Sequence, residues 1–170
     1  MEEILEHSAY GARGSHQDLD LHKLVDEVGL FLGVDVGAPG EGRTVSVSPL
    51  PKLRAIRSLI FQLLLNLIGN SLKYADEGTE LKVNISFEAG SLSGRLKIFD
   101  NGRGIPEKDI AKVLNPLTRG SNAGSTKGSG LGLSLARNIM SEHGGELAIE
   151  SAPGKGTCVV LGFPTGRVLL

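Results

Sequence analysis

From Leu59 to Asn70 the chain reads Leu-Ile-Phe-Gln-Leu-Leu-Leu-Asn-Leu-Ile-Gly-Asn, a run that is apolar almost all the way round a helix. Such a helix is buried over most of its surface. Yet Gln62, Asn66, Asn70 and Lys73 recur at spacings of four, four and three, which keeps them on one helical face. Phe61, Leu64, Ile68, Leu72 and Ala75 lie opposite. An amide buried without a partner costs about 1–3 kcal/mol, so the stripe must meet something polar. Solvent is the plain candidate, but Leu63, Leu65 and Leu67 hem the stripe in on both sides. The floor of a ligand site is the better reading. An amide oxygen is a hard ligand of the kind Mg²⁺ takes, and a lysine one turn on can meet a phosphate.

The rest of the composition narrows the class. A chain of 170 residues holds one sizeable core and is short for two domains. Hydrophobic residues at 40% and charged residues at 22% are the balance of a soluble globular protein. A formal net charge of -1 offers no broad basic surface for nucleic acid or a membrane. Aromatics at 4%, with no Trp, leave little for base-stacking platforms. No apolar stretch approaches the roughly 20 residues of a membrane span, and Met1-Glu2-Glu3-Ile4 has no signal-peptide pattern. The chain reads as cytoplasmic, cut from a longer protein that could itself be membrane-anchored. The lone cysteine, Cys158, excludes an internal disulfide and a multi-cysteine metal site; its apolar neighbours Val159, Val160 and Leu161 make it a buried, inert strand thiol.

Periodicity divides the chain. Residues 1–9 read as the last turns of an upstream helix, and Gly11 to Gln17 as a linker. A helix is expected over Leu19–Leu32, a turn at Gly37–Gly40 and a short strand over Thr44–Val47. A long helix should run from Leu53 to Tyr74. Strands follow at Glu80–Glu88 and Arg95–Phe99, then a loop-rich stretch from Asp100 to Gly128 containing one short helix, Glu107–Leu114, with Pro106 at its start. A helix over Gly130–His143, ended by Gly144-Gly145, precedes strands at Glu146–Glu150 and Thr157–Phe163. Strands in hairpins with helices between them give an α+β fold, a two-layer α/β sandwich whose sheet is mixed but mainly antiparallel.

Two glycine-rich loops of the 24 glycines bear on chemistry. Asp100-Asn101-Gly102-Arg103-Gly104-Ile105-Pro106 ends a strand with a carboxylate and follows it with backbone that side chains do not obstruct. That suits recognition of an exocyclic amine, although Asn-Gly alone is an ordinary turn signal. Gly128-Ser129-Gly130-Leu131-Gly132-Leu133 opens a helix, and glycine backbone entering a helix N-terminus is a ready anion site. Two commoner phosphate motifs fail. Gly154-Lys155 is followed by Gly156 and Ile149 stands where a P-loop needs its first glycine. Leu133 stands where a dinucleotide fingerprint needs its third.

Together these pieces resemble the nucleotide-binding fold shared by gyrase, heat-shock chaperones, histidine kinases and MutL-type repair proteins, the GHKL superfamily. Asn66-Leu67-Ile68-Gly69-Asn70-Ser71-Leu72-Lys73-Tyr74-Ala75 looks like the N box of bacterial sensor histidine kinases. The two glycine loops are similar to their glycine boxes, and Gly154-Lys155-Gly156-Thr157 to the last motif. The four motifs, in order, cover residues 60–163.

The resemblance implies a catalytic domain, residues 18–170, that binds ATP with Mg²⁺ and donates the γ-phosphate to a histidine, residues 1–17 being a linker and remnant of an upstream helical dimerisation domain. Asn70 would bind the metal with Asn66 in support; Lys73 and Arg119 would contact phosphate; Tyr74 would lie along the ribose or base. Asp100 would accept from the adenine amine, helped by Thr157 through a water, with Gly102, Gly104 and Ile105 beside the base. Gly128, Gly130, Leu131, Gly132 and Leu133 would wrap the triphosphate, and residues 107–127 would form a lid. Implied partners are the phosphoacceptor domain and a response regulator, with the isolated domain monomeric and the full kinase a homodimer.

One position divides the superfamily. Its ATPases and serine-directed kinases carry Glu where this chain has Asn66, four residues before the metal-binding Asn. An amide takes no proton at neutral pH, which favours a histidine kinase over a hydrolytic clamp. The lid departs from the kinase pattern: Leu114-Asn115-Pro116-Leu117 keeps the proline and lacks both aromatics and the acid. That departure motivates an alternative, a degenerate nucleotide-sensing or protein-docking module with little kinase output. None of His7, His16, His22 and His143 has the acceptor setting; His143 reads as a cation favoured by a helix C-terminus, and the others as surface residues.

Overall fold

Apolar residues alternate along Leu81–Ala89 (β5) and Ser93–Asp100 (β6), and in a computed structural model these strands pair antiparallel at the middle of a mixed sheet. The structure describes residues 14–169 apart from 41, 77, 92, 122 and 124–128. The described chain runs β1 (Gln17–Asp20), α1 (Leu21–Leu32), β2 (Pro39–Gly40), β3 (Arg43–Val47), β4 (Lys52–Ala55), α2 (Arg57–Lys73), β5, β6, α3 (Glu107–Val113), α4 (Gly132–Glu142), β7 (Glu146–Ala152), β8 (Gly156–Pro164), a 3₁₀ turn (Thr165–Arg167) and β9 (Val168–Leu169).

The larger sheet has the order β2-β3-β5-β6-β8-β7, with β3 parallel to β5 and the other pairs antiparallel. Val83, Ile85, Leu96, Ile98, Val159, Leu161 and Phe163 point from its inner face into one core. Against them lie α1, α2 and α4, which give the helical layer of an α+β sandwich. In α2, Leu59, Ile60, Leu63, Leu64, Leu67 and Ile68 are buried, as an all-round apolar helix requires. Asp20 caps α1, its carboxylate accepting the Lys23 N–H at 3.2 Å, and Arg57 pairs with Glu27 between α1 and α2.

Several local expectations give way. The long helix begins at Arg57, because Lys52–Ala55 is a strand in a second small sheet, β1-β4-β9. Leu53 and Ala55 face the core while Lys52 and Arg54 are exposed, the period of two that a strand imposes. Pairing with Gln17–Asp20 and Val168–Leu169 outweighs the helical spacing of the apolar residues that follow. Gln17, read as linker, therefore pairs with Ala55, and α1 starts two residues after Leu19. Cys158 is half-buried on the outer face of the sheet, opposite Phe99, and burial still pushes its thiol pKa up. His143 is not a helix-end cation. It is 1% exposed, and burial holds its pKa below the ordinary value.

Candidate functional site

Asn66, Asn70 and Lys73 of the α2 stripe line a cleft of about 660 Å³ together with Tyr74, Asp100 and Arg119, whereas Gln62, a turn before Asn66, is not part of its lining. Asn66 and Asn70 are half-buried and Lys73 is exposed. The Nδ2 atom of Asn66 is buried with no partner among the described residues, a donor left for a ligand by the ordinary rule that buried polar groups are satisfied. The first turn of α4 runs against this stripe. A Cβ placed on Gly132 would lie 3.5 Å from Asn70 Nδ2 and 3.9 Å from Asn66 Cβ. Among the described residues no side chain caps α4 at Leu131, which leaves its first amides to an anion. Leu133, in the same turn, also lines the cleft.

Asp100, at the end of β6, is 8% exposed and stands opposite Thr157 on β8. Burial pushes its carboxyl pKa up, against hydrogen bonds from the Gly102 N–H, the Ser71 hydroxyl and the Thr157 backbone. Gly102 N–H meets Oδ1 at 3.0 Å and Ser71 Oγ meets Oδ2 at 3.0 Å. The turn after Asp100 is clamped from outside. Asn101 accepts the Lys82 N–H at 2.7 Å and donates to the Glu80 carbonyl at 2.9 Å.

Backbone crowding explains the glycines of this loop. A Cβ on Gly102 would sit 2.6 Å from the Tyr74 carbonyl oxygen, and one on Gly104 2.0 Å from that of Ala152. The Ile105 N–H donates to Ser151 Oγ at 2.8 Å. Tyr74, which closes α2, has Lys73 Nζ 5.6 Å and Arg103 Cζ 5.9 Å from its ring centroid, within reach of cation–π attraction. Arg103 also binds back to this segment through its N–H on the Tyr74 carbonyl at 3.2 Å.

The chain between the two glycine loops is tied to the second loop and to itself. Gly130 lies against Leu117 and Thr118, within 2.9 Å of their backbone for any added Cβ. Asp109 on α3, 4% exposed, accepts Ser121 N–H at 2.8 Å and Ser121 Oγ at 2.5 Å. These two bonds hold its carboxyl below the usual carboxylate range. Arg119 thus sits on a segment held from both sides. Gly128 and Lys127 lie outside the described residues.

The structure therefore brings together Asn66, Asn70, Lys73, Tyr74, Asp100, Gly104, Ile105, Arg119, Gly130, Gly132, Leu133 and Thr157 around one cleft. Gly102 and Leu131 lie beside it, in the turn under Asp100 and at the entry to α4. Sequence reasoning missed Ser71, Asn101, Asp109 and Ser151. Only Ser71 carried a signal, standing next to Asn70 on a helix otherwise rich in leucine; the other three act through pairings remote in sequence. Among the described residues no group of three or more His, Cys, Asp and Glu could hold a metal. No described helix is long and apolar enough to cross a membrane.

Residues 55–167 match the family described as histidine kinase-, DNA gyrase B-, and HSP90-like ATPase. The adaptive-response sensory kinase SasA of Prochlorococcus marinus (strain MIT 9313) is 37% identical over 125 residues, 73% of this chain and 34% of that protein. The sensor histidine kinase YkoH of Bacillus subtilis (strain 168) is 39% identical over 115 residues, 65% of this chain and 24% of that protein. The chain thus spans about a third or less of these two curated relatives. Among solved structures, the catalytic domain of the histidine kinase ThkA superposes with a TM-score of 0.70 at 26% identity, covering 88% of this chain and 97% of that one. With the matched segment spanning well over half of its residues, the chain belongs to the histidine kinase-, DNA gyrase B-, and HSP90-like ATPase family.

Proposed function

We propose that this chain is the domain of a two-component sensor histidine kinase that binds ATP and presents its γ-phosphate to a histidine on a separate helical domain. The carrying observation is one cleft that combines the buried carboxylate of Asp100, the Asn66/Asn70 amide stripe and the uncapped start of α4. A carboxylate suits an exocyclic amine, while amides, a lysine and free helix amides suit a polyphosphate.

In this reading Asp100 accepts from the adenine amine with Thr157 beside it, and Gly102, Gly104 and Ile105 bring backbone close to the base. Tyr74 borders the ribose. Lys73, Arg119 and the first amides of α4, with Gly128, Gly130, Leu131, Gly132 and Leu133, hold the phosphates. Asn66 Nδ2, buried and unpartnered, donates to a phosphate oxygen or a bound water. The Asn70 amide oxygen fits Mg²⁺, which takes one or two protein oxygens together with phosphates and waters. When bound, the metal neutralises phosphate charge.

The chemistry asked of these residues is positioning and charge stabilisation, as in other phosphoryl transfers. Asn66 supplies no base, and the acceptor imidazole is nucleophilic without one. The catalytic unit starts with β1 at Gln17, and the chain before it leads from an upstream dimerisation domain that carries the acceptor. The isolated unit is monomeric, the full kinase is a cytoplasm-facing homodimer, and a response regulator takes the phosphoryl group onward.

Calorimetric titration with a non-hydrolysable ATP analogue and Mg²⁺, followed by phosphotransfer from ATP to a supplied helical phosphoacceptor domain, tests this. Micromolar-range binding and a labelled acceptor histidine are expected. Binding without transfer to several such domains would support the nucleotide-sensing alternative, and no binding ends the reading.

A further inference from the structure

Ser151, on β7, touches three polar partners at once. Its Oγ lies 2.8 Å from the Ile105 nitrogen, 2.7 Å from the Gly156 carbonyl oxygen and 2.9 Å from Thr157 Oγ1. A serine hydroxyl has one proton to donate and two lone pairs to accept with. Ile105 N–H can only donate, so it occupies one lone pair. The Gly156 carbonyl can only accept, and two oxygens 2.7 Å apart with no proton between them repel. The Ser151 proton therefore goes to Gly156. That leaves a lone pair facing Thr157, and Thr157 must donate its own proton to Ser151. The hydroxyl of Thr157 is spent in this direction and turns only lone pairs toward the cleft it lines, beside Asp100.

We propose that Ser151 is a specificity-setting residue that fixes the Thr157 hydroxyl as a second acceptor beside the Asp100 carboxylate. Two acceptors side by side suit a purine 6-amino group, which carries two N–H donors, whether they meet it directly or through a water. They disfavour a 6-oxo purine, which places an acceptor there. Ser151 acts through Thr157, and the inference rests on the adenine-nucleotide reading of the cleft. Without Ser151 the Thr157 hydroxyl is free to turn its proton toward a 6-oxo group.

The test is calorimetric titration of the whole chain with Mg²⁺ and either ATP or inosine triphosphate, which differ at the 6 position. Wild type is expected to prefer ATP. Ser151→Ala should narrow that preference by about 3–10-fold, the weight of one hydrogen bond. Ser151→Cys, which keeps the volume but offers a poor acceptor, should give the same shift, and Ser151→Thr should restore the wild-type ratio. In a Thr157→Val background, Ser151→Ala should leave the ratio unmoved. Equal weakening of both nucleotides by the Ala and Cys variants, or the same narrowing in the Thr157→Val background, overturns the inference alone. Wild type that holds neither nucleotide overturns the reading of the cleft and the inference with it.

Discussion

The Nε2 atom of His143, at the C-terminal end of α4, accepts the backbone N–H of Ile56, at the N-terminal end of α2, at 3.1 Å. Its Nδ1–H donates to the Ile139 carbonyl at 2.8 Å, which fixes a neutral tautomer. No side chain of its own caps α2 at Ile56, so His143 supplies from another helix what the local sequence lacks. It joins two helices at the ends remote from the cleft, while the C-terminal half of α2 and the first turn of α4 build the cleft itself.

This bond makes folding stability depend on pH. Burial lowers the His143 pKa; His16, edge-on at 5.7 Å between ring centroids, and Arg167 add to the lowering, while the Ile139 carbonyl and Glu142 oppose it. The unfolded chain takes this proton near the ordinary value of about 6.5 and the folded chain only below that. Stability is therefore complete above about pH 6.5 and declines as pH falls through it. His143→Gln should cost about 1–3 kcal/mol at neutral pH by loosening the Ile56 and Ile139 partners. Thermal melts between about pH 8 and pH 5 should show the gap between wild type and variant closing toward acid. A gap independent of pH would refute the assignment.

Asp109 should govern the segment that carries Arg119. Its carboxylate takes both the N–H and the hydroxyl of Ser121, and because its pKa is lowered it stays ionised throughout the neutral range. Asp109→Ala should weaken nucleotide binding by about 3–10-fold and expose the chain around Ser121 to protease, with little change in the melting of the sheet. Ser121→Ala keeps the backbone donor and should fall between the two. Unchanged proteolysis in Asp109→Ala would remove Asp109 from this role.

The ionised Asp100 carboxylate is an acceptor only and a stronger one than the protonated acid, and burial raises its pKa. Nucleotide affinity should therefore begin to fall at a higher pH than an ordinary carboxylate, near 3.9, would dictate. Ser71→Ala removes a donor to Oδ2, raises the pKa further and should move that fall upward. Asp100→Asn turns part of the acceptor into a donor and should weaken binding at least about tenfold. Titrations of the three proteins across mildly acidic pH distinguish them, and superimposed profiles for wild type and Ser71→Ala would count against the account.

The helices and central strands were legible because their apolar periods are long and strong. The α2 stripe points to Asn66, Asn70 and Lys73 by spacing alone, since a buried amide demands a partner, but it points equally to Gln62, which lies outside the cleft lining. What was not legible comes from pairing between distant segments. Leu53–Ala55 reads as the start of the long helix by apolar spacing, yet it lies in a strand because residues 17–20 and 168–169 flank it. The same is true of His143, whose two bonds cross from α4 to the start of α2, and of Ser151, whose partners lie on the first glycine loop and β8. No local pattern encodes such contacts, and their residue types are common on ordinary surfaces.

Two glycines with the same backbone angle separate strain from crowding. Gly104 has φ of +70° and Gly154 has +69°, a region in which a side chain costs about 1–2 kcal/mol. A Cβ on Gly154 meets nothing within 4 Å, whereas one on Gly104 falls 2.0 Å from the Ala152 carbonyl oxygen and 3.2 Å from that of Gly156. Gly154→Ala should lower the melting temperature by a few degrees and bind nucleotide as wild type does. Gly104→Ala carries the same backbone cost plus a further cost of about 1–3 kcal/mol for pushing the glycine loop off the β7–β8 hairpin. Because that loop also anchors Ile105 on Ser151, its displacement moves backbone that borders Asp100, and binding should be lost along with stability. Equal melting temperatures for the two variants would show that the loop and hairpin yield freely, and would undo the argument that their close approach shapes the cleft.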